Sequence, residues 1–198
     1  MKNNTHDFIE VFPNVLDEDA CELSIKECKS VIRELRATAI HSKNDGYPSW
    51  VRDDECAVVT PSLANHLPSE MTGKLLSIIH RCYQQYMEKY WVLQRQDPLF
   101  TRIIKFHWVK PGGGYHQFHS EDGDLRCADR QLVWHLSLND CPDEGSLEFL
   151  YYKRQVFPKA GQLTMWPAAF THVHRGNPVK TLDKFYFTGW LHLAGKVE

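Results

Sequence analysis

Long apolar runs are missing from this chain. No stretch reaches the ~18 residues a membrane-spanning helix needs, and the opening MKNNTHDFIEVF lacks the apolar block of a secretory leader. There are six cysteines (Cys21, Cys28, Cys56, Cys82, Cys127 and Cys141), but they are scattered and none forms Cys-x-x-Cys. That argues against a zinc knuckle or a thioredoxin-like site. The expectation is a cytoplasmic protein with free thiols and no membrane partner. A basic block is also absent. Lys and Arg number 23 against 25 Asp and Glu, and the segment KECKSVIRELR mixes its signs along a solvated helix face, so no nucleic-acid partner is expected. The run Gly112-Gly113-Gly114 lacks the spaced Gly-Lys-Ser/Thr of a phosphate loop and opens no helix. A tight turn or mobile loop is the reading that remains.

What is present fits a globular domain. The 198 residues are 42% hydrophobic and 24% charged, enough to bury a core. With no linker, repeat or low-complexity tract, residues 1–198 read as one domain: a helical and mixed part, 1–99, and a β-rich core, 100–193. In the first part, FIEVFPNVL is a short strand leading to a helix capped by Asp17 and running to about Arg36, with Ala20, Leu23, Ile25, Cys28, Val31, Ile32 and Leu35 on its apolar face. NDGYPSW is a turn-rich loop and ECAVVTP a strand. Ser69 caps a second helix, about 70–90, with Leu75, Ile78, Ile79, Cys82, Tyr83 and Tyr86 on one face. From residue 101, at least seven short β-rich segments are separated by Gly, Pro, Asp and Asn. The class is α+β, mainly β, with N-terminal helices packed on one sheet of a β-sandwich. In the strand 131–138, Trp134, Leu136 and Leu138 share the face suited to lie under helices, while Val133, His135 and Ser137 share the other.

Eleven histidines justify a search for a metal site. In YHQFHSEDGD, His119 and Glu121 are two residues apart, so on an extended strand they point the same way. A distant histidine would complete two histidines and one carboxylate. That set occupies one face of an octahedral ion and leaves three positions for an oxoacid and dioxygen, as in non-haem iron(II) oxygenases. The distant histidine is found in THVHRG, where His172 and His174 are rivals if the segment is extended.

The order of these motifs resembles the prolyl-4-hydroxylase-like branch of the 2-oxoglutarate- and Fe(II)-dependent dioxygenases. IIKFHWVKPGGGYHQFHSE matches that family's strand, Gly-rich turn and His-x-Asp/Glu. LVWHLSLNDCPDEGSLEF matches its leucine-asparagine-aspartate turn and Glu-Phe strand, and Pro158, Lys159 and Gly161 its Pro-Lys-x-Gly turn. His174, Pro178, Val179, Lys184 and Trp190 match its closing frame. The resemblance covers roughly residues 100–193.

The resemblance implies a double-stranded β-helix (jelly roll). It implies Fe(II) held by His119, Glu121 and His174, and 2-oxoglutarate and O2 as cosubstrates, with Lys184 pairing with the oxoacid's distal carboxylate. The reaction implied is hydroxylation of an unactivated C–H bond with succinate and CO2 as co-products, on a prolyl or other peptidyl residue or on a free amino acid or small molecule. Lys184 and the Pro-Val spacing favour His174 over His172, which becomes a pocket-rim or hydrogen-bonding residue. His135 and Ser137 are candidate contacts for 2-oxoglutarate or substrate. Tyr186 and Thr188 are candidate pocket lining, Trp190 a wall for the oxoacid, and Tyr115 and Arg52 are weaker candidates. His116 and Arg175 read as surface residues. Glu121 departs from the aspartate usual in prolyl hydroxylases, and its extra methylene bears on substrate kinship more than on metal binding. Two other classes are a cupin-type metal protein using His172 and His174 together, and a non-catalytic binding module on the same scaffold.

Overall fold

The structure, a computed structural model, describes residues 6–36, 41–59 and 69–193. Strand β1 (Glu10–Phe12) leads to helix α1 (Glu18–Leu35), then β2 (His41–Lys43), β3 (Arg52–Asp53), β4 (Glu55–Val59) and helix α2 (Ser69–Lys89). The remaining strands are β5 (Leu99–Val109), β6 (Gly114–His119), β7 (Arg130–Ser137), β8 (Leu147–Phe149), β9 (Arg154–Val156), β10 (Gln162–Pro167), β11 (His174–Gly176) and β12 (Lys184–Leu193). They form a seven-stranded sheet in the order β1-β10-β7-β12-β5-β4-β2 and a five-stranded sheet in the order β3-β6-β11-β8-β9.

Local chemistry sets the helices. The Asp17 carboxylate accepts from the Ala20 N–H at 2.8 Å, with Glu18 and Asp19 in the first turn of α1. Its buried stripe runs through Cys21, Ser24, Cys28, Val31, Ile32 and Leu35. Leu23, expected on the apolar face, is 54% exposed. It sits two residues from Cys21, about 200° round the helix, so it points away from the core. All six apolar residues expected on one face of α2 are buried. The expected capping by the Ser69 side chain lies outside what is described.

Side chains of both helices join one apolar cluster with Trp134, Leu136 and Leu138 and with residues of β4, β5, β10 and β12. The other side of β7 faces inward. Val133 packs with Phe149 of β8, Trp166 of β10 and Trp190 of β12 in a second cluster that joins the two sheets. His135 and Ser137, on the same side as Val133, are buried at 4% and 3% exposure.

Two segments differ from the expected strands. β6 ends at His119, so Glu121 lies beyond it, and the chain bends at residue 121, where the Glu121 N–H donates to the Ala168 carbonyl at 2.9 Å. The segment 172–174 is not extended either: Phe170–His172 is a short 3-10 turn, and β11 begins only at His174.

The turn before β10 is tied to the entry of α1. Gly161 has φ +70°, and an added Cβ would run into the Leu16 carbonyl oxygen. Its N–H donates to Ser137 O at 2.9 Å, and its carbonyl accepts from Val15 N–H at 2.8 Å. Gly161→Ala should therefore destabilise the fold by about 2 kcal/mol, lowering the thermal midpoint by roughly 4–8 °C. Calorimetry checks this, and an unchanged midpoint would show that the turn relaxes freely.

Candidate metal centre and oxoacid cavity

His119 at the end of β6 and His174 at the start of β11 are cross-strand partners, and their ring centroids lie 4.6 Å apart. The bend after β6 brings Glu121 Oε1 to 3.3 Å from His119 Nε2 and 3.5 Å from His174 Nε2. The three candidate donor atoms lie within 4.8 Å of one another. Each imidazole is oriented from behind. His119 Nδ1 donates to Gln117 O at 3.0 Å, and His174 Nδ1 to His172 O at 2.9 Å. With the proton on Nδ1, Nε2 carries a lone pair. Two lone pairs and one carboxylate oxygen then face each other, which is repulsive unless a cation lies between them. Burial holds His174 below the ordinary imidazole pKa. Burial would raise Glu121, but hydrogen bonding and positive charge at the two facing imidazoles, the place a bound cation would take, keep it well below the usual carboxylate range. Two nitrogens and one hard oxygen suit Fe(II) among the divalent ions.

The second carboxylate oxygen is held separately. Trp190 Nε1–H donates to Glu121 Oε2 at 3.0 Å, and Arg130 Nη1 lies 3.3 Å from the same atom. The Arg130 guanidinium also stacks on the Trp190 ring at 3.7 Å. This clamp leaves Oε1 facing the two histidines.

The centre opens on a cavity of about 440 Å³. Lys184, Tyr186, Thr188 and Trp190, alternate residues of β12, all line it. The Lys184 ammonium is buried and donates to Gly145 O at 2.7 Å. Burial pulls its pKa down to about 8, although Cys141 and Asp54 favour the charged form. Gly145 has φ +63°, and a Cβ there would meet Val179 at 2.7 Å and Lys184 at 3.2 Å. Thr188 Oγ1 donates to Trp134 O at 2.8 Å, leaving its lone pairs to the cavity. His135 lines the cavity and stacks on Tyr186 at 4.3 Å. Neither of its ring nitrogens has a partner among the described residues, and burial holds it well below the ordinary imidazole pKa. Ser137 is buried on the same strand face but is not among the residues lining the cavity.

His172 is away from the centre. Its Nε2 donates to Asp7 O at 2.9 Å, its Nδ1 lies 2.9 Å from Thr171 Oγ1, and Tyr152 stacks on its ring. The rival-ligand reading assumed an extended 172–174, and the 3-10 turn removes that condition. His116 is half-buried and does not line the cavity. Arg175, read as an exposed charge, pairs with Glu148 at 2.8 Å and stacks on Phe118. Tyr115 stacks on His119 at 3.8 Å, and Arg52 lines the wall beside it.

The sequence reading missed a buried charge network on that wall. Arg52 grips Asp54 through Nε at 2.8 Å and Nη2 at 3.0 Å, and Asp45 through Nη1 at 2.6 Å. His107 Nδ1 donates to Asp54 Oδ2 at 2.7 Å. Lys105 Nζ donates to Asp45 Oδ2 at 2.6 Å. Asp45 reaches in from a turn in which Asn44, Asp45 and Gly46 all have positive φ. The one available signal was parity on β5, which puts Lys105 and His107 on one face; the partners come from a loop whose shape the sequence does not encode locally.

No protein-family model matches this chain, and no curated protein matches it. Solved structures do. A viral collagen prolyl hydroxylase from Paramecium bursaria Chlorella virus-1, in complex with 2-oxoglutarate, is similar at 16% identity over 95% of this chain and 97% of that one, with a TM-score of 0.67. A Pseudomonas putida prolyl-4-hydroxylase is 20% identical over 95% and 94% of the two chains, with a TM-score of 0.68. SnoK, a non-haem α-ketoglutarate-dependent carbocyclase from nogalamycin biosynthesis, is 12% identical over 94% and 80%, with a TM-score of 0.72. The chain thus has the fold of the 2-oxoglutarate-dependent, prolyl-4-hydroxylase-like oxygenases. The family resemblance drawn from the motif order is borne out at the level of that fold.

Trp190→Phe keeps the ring and removes the bond to Glu121 Oε2. It should lower divalent-ion affinity by about 10-fold or more, measured by Mn(II) titration followed by electron paramagnetic resonance. An unchanged affinity would show that the clamp does not orient the carboxylate.

Proposed function

We propose that this protein is an Fe(II)- and 2-oxoglutarate-dependent dioxygenase that hydroxylates an unactivated C–H bond with O2, with succinate and CO2 as co-products. In this reading the two sheets are a double-stranded β-helix, one domain over residues 1–198 with α1 and α2 laid against the larger sheet. The observation that carries the reading is the tautomer-fixed pair His119 and His174 facing one oxygen of Glu121, in a cavity that also holds a buried lysine. All six cysteines are free thiols, which supports a reducing compartment such as the cytoplasm.

His119, Glu121 and His174 hold the ion. When bound, iron and the oxoacid supply the oxidising chemistry, and the protein supplies binding, orientation and exclusion of side reactions. Lys184 donates to the distal carboxylate of 2-oxoglutarate in a charge-assisted pair that loosens its bond to Gly145. Thr188, further along β12, turns its hydroxyl lone pairs to the cavity. His135, kept neutral by burial, hydrogen-bonds the oxoacid or the substrate, and Ser137 sits behind it. Trp190 walls the oxoacid and fixes Glu121. Val133 and Trp166 keep water from the floor.

The cupin-type reading needs His172 and His174 together, and the turn at His172 separates them. A non-catalytic binding module has no need of a complete donor set with its oriented Nδ1 bonds. For the substrate, likeness to prolyl hydroxylases points to a prolyl or other peptidyl residue. The second reading, a free amino acid or another small molecule, is favoured by the density of charge around the cavity.

His174→Ala should abolish substrate-dependent succinate formation; full turnover in that variant would remove His174 from the ligand set. Lys184 gives a pH signature. Its charged form pairs with the oxoacid, and its pKa in the free protein is about 8. The apparent KM for 2-oxoglutarate should be flat below pH 8 and rise about tenfold per unit above it. Lys184→Arg, charged throughout, should flatten the profile, and a flat wild-type profile would contradict the anchor.

A further inference from the structure

We propose that the substrate is a small molecule carrying a carboxylate, and that Lys105, with Arg130 beside it, receives that carboxylate. This rests on the dioxygenase reading and names the substrate class of that site.

Besides Arg52, held by Asp45 and Asp54, and the exposed Arg126, the cavity lining carries cations at two places. Lys184 opens β12 and pairs with Val109, while Lys105 of β5 pairs with Thr188, four residues further along β12. At the rise of a β-strand, four residues put the two backbone positions about 13 Å apart along the sheet. A five-carbon diacid anchored at Lys184 with its other end on the ion cannot also occupy Lys105. The second place is thus left for another anion.

Its donors are not exhausted. Lys105 Nζ has three protons and spends one on Asp45 at 2.6 Å; its ammonium lies 5.8 Å from the Trp190 ring centroid. Arg130 stacks on the same ring at 3.7 Å, and its Nε is buried with no partner among the described residues. A buried, unpaired guanidinium N–H is costly unless a ligand satisfies it. Trp190 also donates to Glu121 Oε2, and Arg130 Nη1 lies 3.3 Å from the same atom, so Arg130 adjoins the metal centre and Lys105 lies on the far side of the shared indole contact. A carboxylate held there places the carbon chain attached to it beside the ion.

The built geometry of Asp45 supports this. Its turn takes three successive positive-φ residues, two of them not glycine. Besides Arg52 and Lys105, the Asp45 carboxylate receives Ser42 Oγ at 3.1 Å and Cys56 Sγ at 3.5 Å. Saturated in this way, Asp45 is not free to bind a substrate amine. It fixes the Lys105 ammonium against the cavity wall, which lowers the ordering cost of gripping a ligand. An internal prolyl residue of an end-blocked peptide offers no carboxylate to this place, whereas a free acid does.

The test compares matched pairs by succinate release: free L-amino acids and simple carboxylic acids against their primary amides, with end-blocked proline peptides as a third arm. An acid should stimulate succinate release, and its amide should be used at least tenfold less efficiently in kcat/KM. Lys105→Met should raise the KM for the acid tenfold or more and collapse the acid-to-amide ratio towards one. The KM for 2-oxoglutarate should change far less than that for the acid, and Lys105→Arg should restore part of the preference. The proposal is overturned if no acid stimulates turnover, if acid and amide are used equally, or if blocked peptides are the better substrates. It is equally overturned if Lys105→Met keeps the acid-to-amide ratio or raises the KM for 2-oxoglutarate instead. Calorimetric titration of the Mn(II)-loaded protein with 2-oxoglutarate separates the two levels: absence of binding there sinks the dioxygenase reading itself.

Discussion

When both imidazoles are neutral, their Nε2 lone pairs and the Glu121 oxygen, all within 4.8 Å of one another, repel, and a cation among them removes that repulsion. The arrangement is not accidental crowding, because backbone carbonyls fix both tautomers from behind and the Trp190 indole with Arg130 pins the far oxygen of Glu121. Much of the small sheet serves this constraint. The β6–β11 pairing sets the two histidines opposite each other, and the bend after β6 turns Glu121 back towards them. A group of charged atoms that repel when empty and bind when filled is what a metal centre requires of its protein.

The larger sheet answers with a different chemistry. Its inner face, on β7, β12 and β5, carries a buried ammonium, a neutral imidazole and a stacked tyrosine where a plain sandwich would carry aliphatic side chains. Burial disfavours the charged form of both groups: it makes Lys184 ready to lose its proton and keeps His135 from gaining one. In the proposed reading an oxoacid carboxylate would reverse the first effect, so that anion binding and lysine charge reinforce each other. The outer face of the same strands is apolar and joins the side chains of α1 and α2 in one cluster. That leaves the inner face free for polar residues.

The sequence made these faces legible wherever parity or helical spacing governs. Lys184, Tyr186, Thr188 and Trp190 were read from β12 as one row, and they line one cavity. The burial of α2 follows its spacing residue by residue. Leu23 shows the limit on α1, where one apolar residue off the stripe looks like core in a list but faces water. His119 and Glu121 were brought together in the reading by strand parity, yet the chain achieves it by a bend. His172 was a rival only while 172–174 was assumed extended, and the turn ending there could not be seen in THVHRG. The Arg52, Asp54 and His107 network escaped because its members lie about 50 residues apart on a loop and a distant strand, and only tertiary pairing joins β3 and β4 to the core.

The account stands on one ion being held by these three side chains in company with the oxoacid. Anaerobic titration of the protein with Fe(II) and 2-oxoglutarate, followed by visible absorption, tests that directly. The account predicts a weak charge-transfer band that needs both Fe(II) and 2-oxoglutarate, saturates at one equivalent of iron, and is lost when His119 or Glu121 is replaced by alanine. Absence of the band with both present, or its persistence in those variants, would contradict it.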